Sequence, residues 1–438
     1  MEYIPQILFS IILIAGIGFF AQNVKKLSRN IKLGKDVKIN DNKKQRWTNM
    51  AKIALGQTKM VVRPIAGFLH IIVYVGFIII NIEVLEIVID GVFGTHRIGL
   101  SVLPVSIYGF LIGTFEILAV LVLISVVVFW IRRNIIKIKR FLSAEMTGWP
   151  KNDGNIILYF EVVLMCLFLI MNATDTSFQS LASGNIVSQF ITPLFSGLSE
   201  STLHFIEQTA WWLHIVGILI FLNYLYYSKH LHILLAFPNT YFGKLTPKGQ
   251  FKNLEAVTNE VKLMMDPDAD PFAAPAEGVE ETEPEKFGAS DVTDLNWVQL
   301  LNSYTCTECG RCTSECPANQ TGKKLSPRKI MMDTRDRLVE VGKNIDTNKG
   351  TFVPDGKQLL GDYITNEELW ACTSCNACVQ ACPVSIDPLS IIMDMRQYLV
   401  MEESAAPPDL NNMMGNIENN GAPWPFNQQD RLNWSNES

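Results

Sequence analysis

Eight of the nine cysteines fall in two short runs, CTECGRCTSECP at 306–317 and CTSCNACVQACP at 372–383. Both runs follow the spacing C-x2-C-x2-C-x3-C-P, and they lie sixty-six residues apart. Three thiolates at three-residue steps wrap one face of a cubane iron–sulfur cluster, while a fourth held before proline turns away to a neighbouring cluster. The spacing therefore assigns Cys306, Cys309, Cys312 and Cys382 to one [4Fe–4S] cluster, and Cys372, Cys375, Cys378 and Cys316 to a second. Disulfides belong to oxidising compartments and do not require such a regular step. Zinc sites use two pairs of ligands rather than four in a row with a trailing proline. The ninth cysteine, Cys166, lies inside an apolar run and reads as a small hydrophobe.

The histidines offer a second metal chemistry. His70 and His232 each lie about six residues inside the end of a long apolar segment. Two antiparallel helices would carry these imidazoles to one depth, as bis-histidine ligation of a haem b requires. His214 precedes His232 by eighteen residues; on one continuous helix that is five turns and about 27 Å, which places both on one face and leaves room for a second haem. The facing positions 80–84 read Ile-Asn-Ile-Glu-Val and supply no partner for it, so one haem is expected. His96 would complete the outer site only if its loop dips inward. Otherwise His96, His204 and His230 read as interfacial, with His230 the understudy for His232. Glu83, Glu86 and Glu116 also fall inside apolar segments, where carboxyls are costly without a partner or a cavity. They read as proton carriers from a quinol, or, for Glu86, as a group that simply reaches water.

The elements that hold these residues are membrane spans. Five apolar stretches are long enough to cross a bilayer: Ile4 to Ala21, Pro64 to Ile89, Leu103 to Ile131, Asn155 to Asn172, and Phe205 to Phe237. The first lacks a basic residue ahead of it and has a basic block behind it, the flank of a retained anchor. Twelve Lys or Arg and two acidic residues lie between positions 25 and 63, and six more basic residues lie between Arg132 and Lys151. From Asn152 to Ser228 there is no Lys or Arg. The positive-inside rule then puts the amino terminus outside and everything after Phe237 in the cytoplasm, where thiols stay reduced.

Beyond the spans the sequence turns polar. Asp266 to Ser290 carries eight acidic residues and four prolines and reads as a solvated tether. Each cysteine run feeds a helix: SPRKIMMDTRDRL follows the first and DPLSIIMDMRQYL the second. Ser326 and Asp387 are natural N-caps, with Pro327 and Pro388 at the first helical position. With 55 residues between Cys316 and Cys372, the domain is of the α-helical ferredoxin kind. The expected fold is all-α: a transmembrane bundle at 1–240, an acidic linker at 241–290, the ferredoxin domain with two clusters at 291–405, and a tail at 406–438 that docks a partner.

The segments LHIIVYVGF around His70 and LHIVGILIFLNYLYYSKHLH closing on His232 resemble the gamma subunit of respiratory nitrate reductase. They also resemble the membrane cytochromes of heterodisulfide reductase and of sulfite-reductase-linked quinone complexes. The resemblance implies haems held by paired histidines of the second and fifth spans. His70 and His232 match the cytoplasmic pair; His214 matches half of the outer pair, whose other half falls on Ile80. The cysteine domain is similar to those of heterodisulfide reductase and succinate dehydrogenase. NNGAPWPFNQQDRLNW (Asn419 to Trp434) resembles the segment that leads, in fused heterodisulfide-reductase-type oxidoreductases, into modules with a paired-cysteine-glycine motif. No vicinal cysteine pair exists in this sequence, so that module is expected on a separate cytoplasmic chain.

These readings converge on a membrane electron-transfer subunit between the quinone pool and a soluble iron–sulfur partner. A membrane scaffold with structural clusters, or the same wire run backwards to reduce quinone, are the alternatives. Net charge of −6 and the lack of an aromatic-studded basic groove argue against nucleic acid. No glycine-rich phosphate fingerprint beside a strand points to nicotinamide or flavin.

Overall fold

The computed structural model describes residues 3–267 and 286–436, so most of the anticipated acidic tether lies outside the described residues. Among the described residues, regular structure is helical apart from two isolated bridges. Five helices are long and apolar enough to cross a membrane: Ile4–Ile31, Pro64–Phe93, Val105–Asn134, Trp149–Thr174 and Glu200–Tyr224. With 26 to 30 residues, the second to fourth are each about 39–45 Å long, more than the roughly 30 Å of a hydrocarbon core. Proline in the first turn of the first, second and fourth helices fits a position whose N–H has no helical acceptor. The helices follow one another around a ring, and the first closes it against the second and fifth. Ala119, Phe168 and Ile215 fill the interior, whereas Ile7, Ile11, Phe110 and Phe205 point outward, as hydrocarbon-facing residues do.

The fifth span differs from its expected extent. Instead of one helix to Phe237, the chain leaves α-geometry at Tyr224, tightens through two short turns, and begins a separate helix at His232–Tyr241. Ser228, extended at φ −110 and ψ 148, sits at the break, and its hydroxyl accepts from the His230 N–H at 3.1 Å. Asp153, buried near the start of the fourth helix, accepts from the Tyr224 hydroxyl at 2.6 Å and the Lys229 N–H at 3.1 Å. A carboxylate that collects donors on both sides of Ser228 holds the chain out of the helix. The periodicity that put His214 and His232 on one face therefore ends between them.

The cysteine domain packs around three helices, Trp297–Thr305, Pro327–Thr347 and Pro388–Met401. Ser326 accepts from the Lys329 N–H at 3.4 Å and Asp387 from the Ser390 N–H at 3.1 Å, so both duplicated helices start at the expected caps. Leu300, Ile330, Leu338, Val341, Ile391 and Met395 are all but solvent-free between them, and each such side chain contributes about 1.5–3 kcal/mol.

The first apolar helix reaches this domain directly. Asn30 donates to the Tyr304 hydroxyl at 2.9 Å, Arg29 to the Gly342 carbonyl at 3.0 Å, and Lys35 pairs its backbone with Leu295 and Trp297. A Cβ on Gly342 would collide with the Asn30 amide, so this contact depends on glycine. The bundle and the cysteine domain are thus one packed body.

Candidate functional site: the seam between bundle and cysteine domain

The two cysteine runs adopt the same backbone. Glu308 and Ser374 have φ of +54 and +56, and Gly310 and Asn376 have +71 and +60 at the start of the short helices that carry the third cysteines. Left-handed residues at matching steps turn successive sulfurs toward a common centre. At Gly310 the close approach of Arg328 leaves no room for a Cβ. Cys306, Cys309, Cys312 and Cys382 line one small cavity, which Cys378 also borders, walled by Met331, Pro383 and Ile386. In the other half, Cys372 lies within electrostatic reach of Cys316 and Cys375, and Cys378 within reach of Cys372 and Cys316. Burial pushes the thiols of Cys306 and Cys378 up to about 12 and that of Cys382 up to about 11. Such sulfurs are poor anions unless a positive centre sits among them. The donor set therefore fits two iron–sulfur clusters. Cys375 is the exposed member of the eight.

The first cysteine run and the Cys382 segment face the bundle. Lys59 donates to the Cys382 carbonyl and the Ser385 hydroxyl, both at 3.2 Å, and Asn239 donates to the Val384 carbonyl at 2.7 Å. Arg311, between Cys309 and Cys312, donates to the Lys59 carbonyl at 2.9 Å. The fully buried Arg328 donates to Glu145, from the loop between the third and fourth apolar helices, at 2.7 Å. Lys229 pairs with Glu308, which also receives Arg335 at 2.7 Å. Burial opposes the Glu308 charge, but Lys229 and Arg335 outweigh it and hold the carboxyl below its ordinary range.

A cavity of about 380 Å³ opens at this seam. His70, His230 and His232 line it from the bundle, Thr307, Glu308 and Cys309 from the first cysteine run, and Pro383 and Val384 from the second. The His70 and His232 rings stand 6.4 Å apart, centroid to centroid, with 40° between their planes. That spacing accommodates one metal atom: two metal–nitrogen bonds of about 2 Å plus the two ring radii give a similar sum. His70 Nδ1 is buried with no hydrogen-bond partner, an orphan that points to a missing group. The ring of His232 is held through Nδ1 by the Lys229 carbonyl at 3.2 Å, the usual way a ligand imidazole is oriented. Arg132, Arg133, Arg140, Arg311 and Lys229 rim the cavity with positive charge suited to the carboxylates of a haem. The residues present fit a haem b.

Other sequence candidates are placed differently. His214 is buried, bonded through Nδ1 to the Leu164 carbonyl at 3.0 Å and packed on Phe168. His96 does not dip toward it; its ring faces Asp175 at 3.2 Å, half exposed. His230, read as interfacial, lies in the seam cavity with its ring 5.3 Å from that of His232. Glu116 accepts from the Asn172 side chain at 3.1 Å and from the Val187 and Ser188 N–H groups at 2.7 and 3.1 Å, as a cap of the loop between the fourth and fifth helices. Glu86 likewise accepts from the Gly99 N–H at 2.8 Å. The sequence reading missed Lys229, Glu308, Glu145 and Lys59. Their only signal was charge next to a candidate ligand, as in SKHLH and CTEC.

Residues 305–386 match the family described as 4Fe-4S dicluster domain. Over 99% of its length the chain is 29% identical to the probable iron-sulfur-binding oxidoreductase FadF of Bacillus subtilis, covering 61% of that protein. It is 24% identical over 91% of its length to the EtfAB:quinone oxidoreductase of Syntrophomonas wolfei, covering 55%. A stretch of 34% of the chain is 33% identical to a probable membrane-anchored ferredoxin of Chromohalobacter salexigens, covering 24% of it. Heterodisulfide reductase subunits are also among the matches. The chain thus spans less than two thirds of the length of these oxidoreductases. No solved structure matches it. Its homologues are iron–sulfur oxidoreductases and heterodisulfide-reductase-like subunits, and like them it carries a 4Fe-4S dicluster domain.

Proposed function

We propose that this chain is the membrane-bound electron-transfer subunit of an iron–sulfur oxidoreductase. It would connect the quinone pool, through haem b and two [4Fe–4S] clusters, to a soluble cytoplasmic partner that carries a cysteine-rich catalytic module. The observation that carries the reading is the shared cavity, in which His70 and His232 on one side and Cys309 on the other line one space. Haem b bound there would supply one-electron exchange beside the first cluster. In this reading His70 and His232 would hold the haem, and His214, packed on Phe168 away from the seam cavity, is a core residue. Cys306, Cys309, Cys312 and Cys382 hold the cluster next to the bundle. Cys372, Cys375, Cys378 and Cys316 hold the distal one, whose exposed Cys375 faces outward for the partner.

The basic residues between the apolar helices support a cytoplasmic position for the cysteine domain. The last helix, Pro408–Asn420, buries none of its residues, and Trp424 and Trp434 stand 58% and 73% exposed. That tail is the proposed docking surface for the catalytic module. A chain that only recruited a partner would have no use for the histidine pair. Reduced-minus-oxidised difference spectra of the purified full-length protein, taken with a quinol analogue as reductant, test the proposal. A b-type absorption band is expected; its absence would overturn the reading and leave a scaffold.

A further inference from the structure

At the end of the bundle remote from the cysteine domain lies a second cavity, of about 300 Å³. Five carboxylates line it, Glu83, Glu86, Asp90, Asp175 and Glu207, against one guanidinium, Arg97. Such an accumulation is costly unless each charge is answered. Asp90 is answered by the N–H groups of Arg97 and Ile98 at 2.8 and 3.1 Å, and Glu86 by the Gly99 N–H and the Tyr108 hydroxyl. Arg97 is committed: it donates to Asp175 at 2.6 Å and Asn172 at 2.9 Å and lies over the Phe178 ring. Glu207, 3% exposed, has the neutral amide of Gln208 and the imidazole of His204. Glu83, also 3% exposed, keeps its Oε2 without a hydrogen-bond partner in the same cavity. No Lys or Arg lies between Asn152 and Ser228 to answer either charge.

We propose that His96, Asp175 and Glu207 bind one divalent cation of the Zn²⁺ class at this end of the bundle. Their ligand atoms all lie within 4.8 Å of one another. They come from three separate segments: the loop after the second helix, the residue that ends the fourth, and the second turn of the fifth. Of the three residues, His96 already has its Nε2 3.2 Å from an Asp175 oxygen, close to the donor–donor spacing that bonds of about 2.1 Å require. Asp175 is already fixed by Arg97 and by the Phe178 N–H at 3.0 Å, the supporting contact a ligating carboxylate usually has. One imidazole and two carboxylates suit Zn²⁺; Mg²⁺ and Ca²⁺ take oxygen ligands. The fourth position falls to water or to His204, whose Nδ1 is 3.2 Å from Glu207. Glu83 turns its buried Oε2, which has no hydrogen-bond partner, to the same cavity.

The test uses the full-length protein in detergent with its iron centres in place, treated with a mild chelator and titrated with Zn²⁺ against a fluorescent zinc indicator. One tight equivalent is expected. His96→Ala, which alters a half-exposed side chain, and Glu207→Gln should each weaken it at least about tenfold. Iron and acid-labile sulfide should stay unchanged, which shows that the variants fold. Zinc binding that both variants retain in full would overturn the site and place the metal elsewhere. No tight equivalent in the parent protein would also overturn it, leaving a protonated His96 paired with Asp175.

Discussion

The Lys229 ammonium, beside His230 in the bundle, forms an ion pair with the Glu308 carboxylate, beside Cys309 in the cysteine domain. Their side chains are 10% and 3% exposed, so the pair is sealed within the seam. One contact thus couples the histidine wall of the cavity to the first cysteine loop.

Breaking that pair from one side should be severe. Glu308→Gln removes the counter-charge that Lys229 and Arg335 share and leaves them only Asp153 at 3.8 Å and the more exposed Asp336 at 3.1 Å, at a cost on the order of 3–5 kcal/mol. The thermal midpoint of the purified protein should fall accordingly. Lys229→Met added to Glu308→Gln should recover part of the loss. If the double variant is as unstable as the two single losses added together, Lys229 and Glu308 are not coupled.

His70→Ala and His232→Ala should each abolish the b-type absorption band while both cluster EPR signals persist. His230→Ala is the discriminating variant, because that ring lies in the same cavity, nearly perpendicular to His232 at 88°. It should keep the band. Loss of the band in His230→Ala, with His232→Ala retaining it, would move the ligand assignment two residues.

Acid titration should show up at Asp333. Burial raises its carboxyl from 3.8 to about 6; Lys329, at 2.7 Å, pulls the other way but is shared with Glu368 at 2.9 Å. One ammonium cannot neutralise two carboxylates, so the proton stays on Asp333 more readily. A folded value above the unfolded one means the native chain holds the extra proton between about pH 4 and 6. The resulting stability is complete below the unfolded value and is lost as pH rises through about 6. At neutral pH, Asp333→Asn should therefore add on the order of 1–3 kcal/mol of stability, read as a higher thermal midpoint. The gain should shrink toward pH 4. A gain that does not vary across that window would exclude titration of Asp333 as the cause.

What could be read from the sequence was what is local. The cysteine steps, the caps Ser326 and Asp387 and the apolar lengths of the helices all depend on neighbours within a few residues. The break at Ser228 did not show, because it is imposed by Asp153, which lies seventy-five residues earlier in the chain. A helix-periodic reading of residues 205–237 had no way to register that partner. For the same reason the partners of Glu116 did not show: the Val187 and Ser188 N–H groups that engage it sit in the loop after the fourth helix, with no sequence signature. His230 looked interfacial only while the fifth helix was taken as continuous.

The pairing of the cysteines is the last point open to a direct test. Cys382 lies in one cavity with Cys306, Cys309 and Cys312, although it belongs to the second run; Cys378 borders that cavity too, but lies within electrostatic reach of Cys372 and Cys316. The Cys382 carbonyl is held by Lys59 of the bundle, and its sulfur accepts from the Ile386 N–H at 3.3 Å. In the mirror position Cys316 ends the first run, buried near Cys372 and Cys378. Cys382→Ser should thus damage the cluster next to the bundle, and Cys316→Ser the distal one. Each variant should lose up to half of the iron, with the surviving EPR signal differing between the two. Because the bundle-side cluster would lie beside the histidine cavity, only Cys382→Ser should also perturb the b-type band. If Cys382→Ser instead removes the signal that Cys375→Ser removes, each run holds its own cluster and the crossing is wrong.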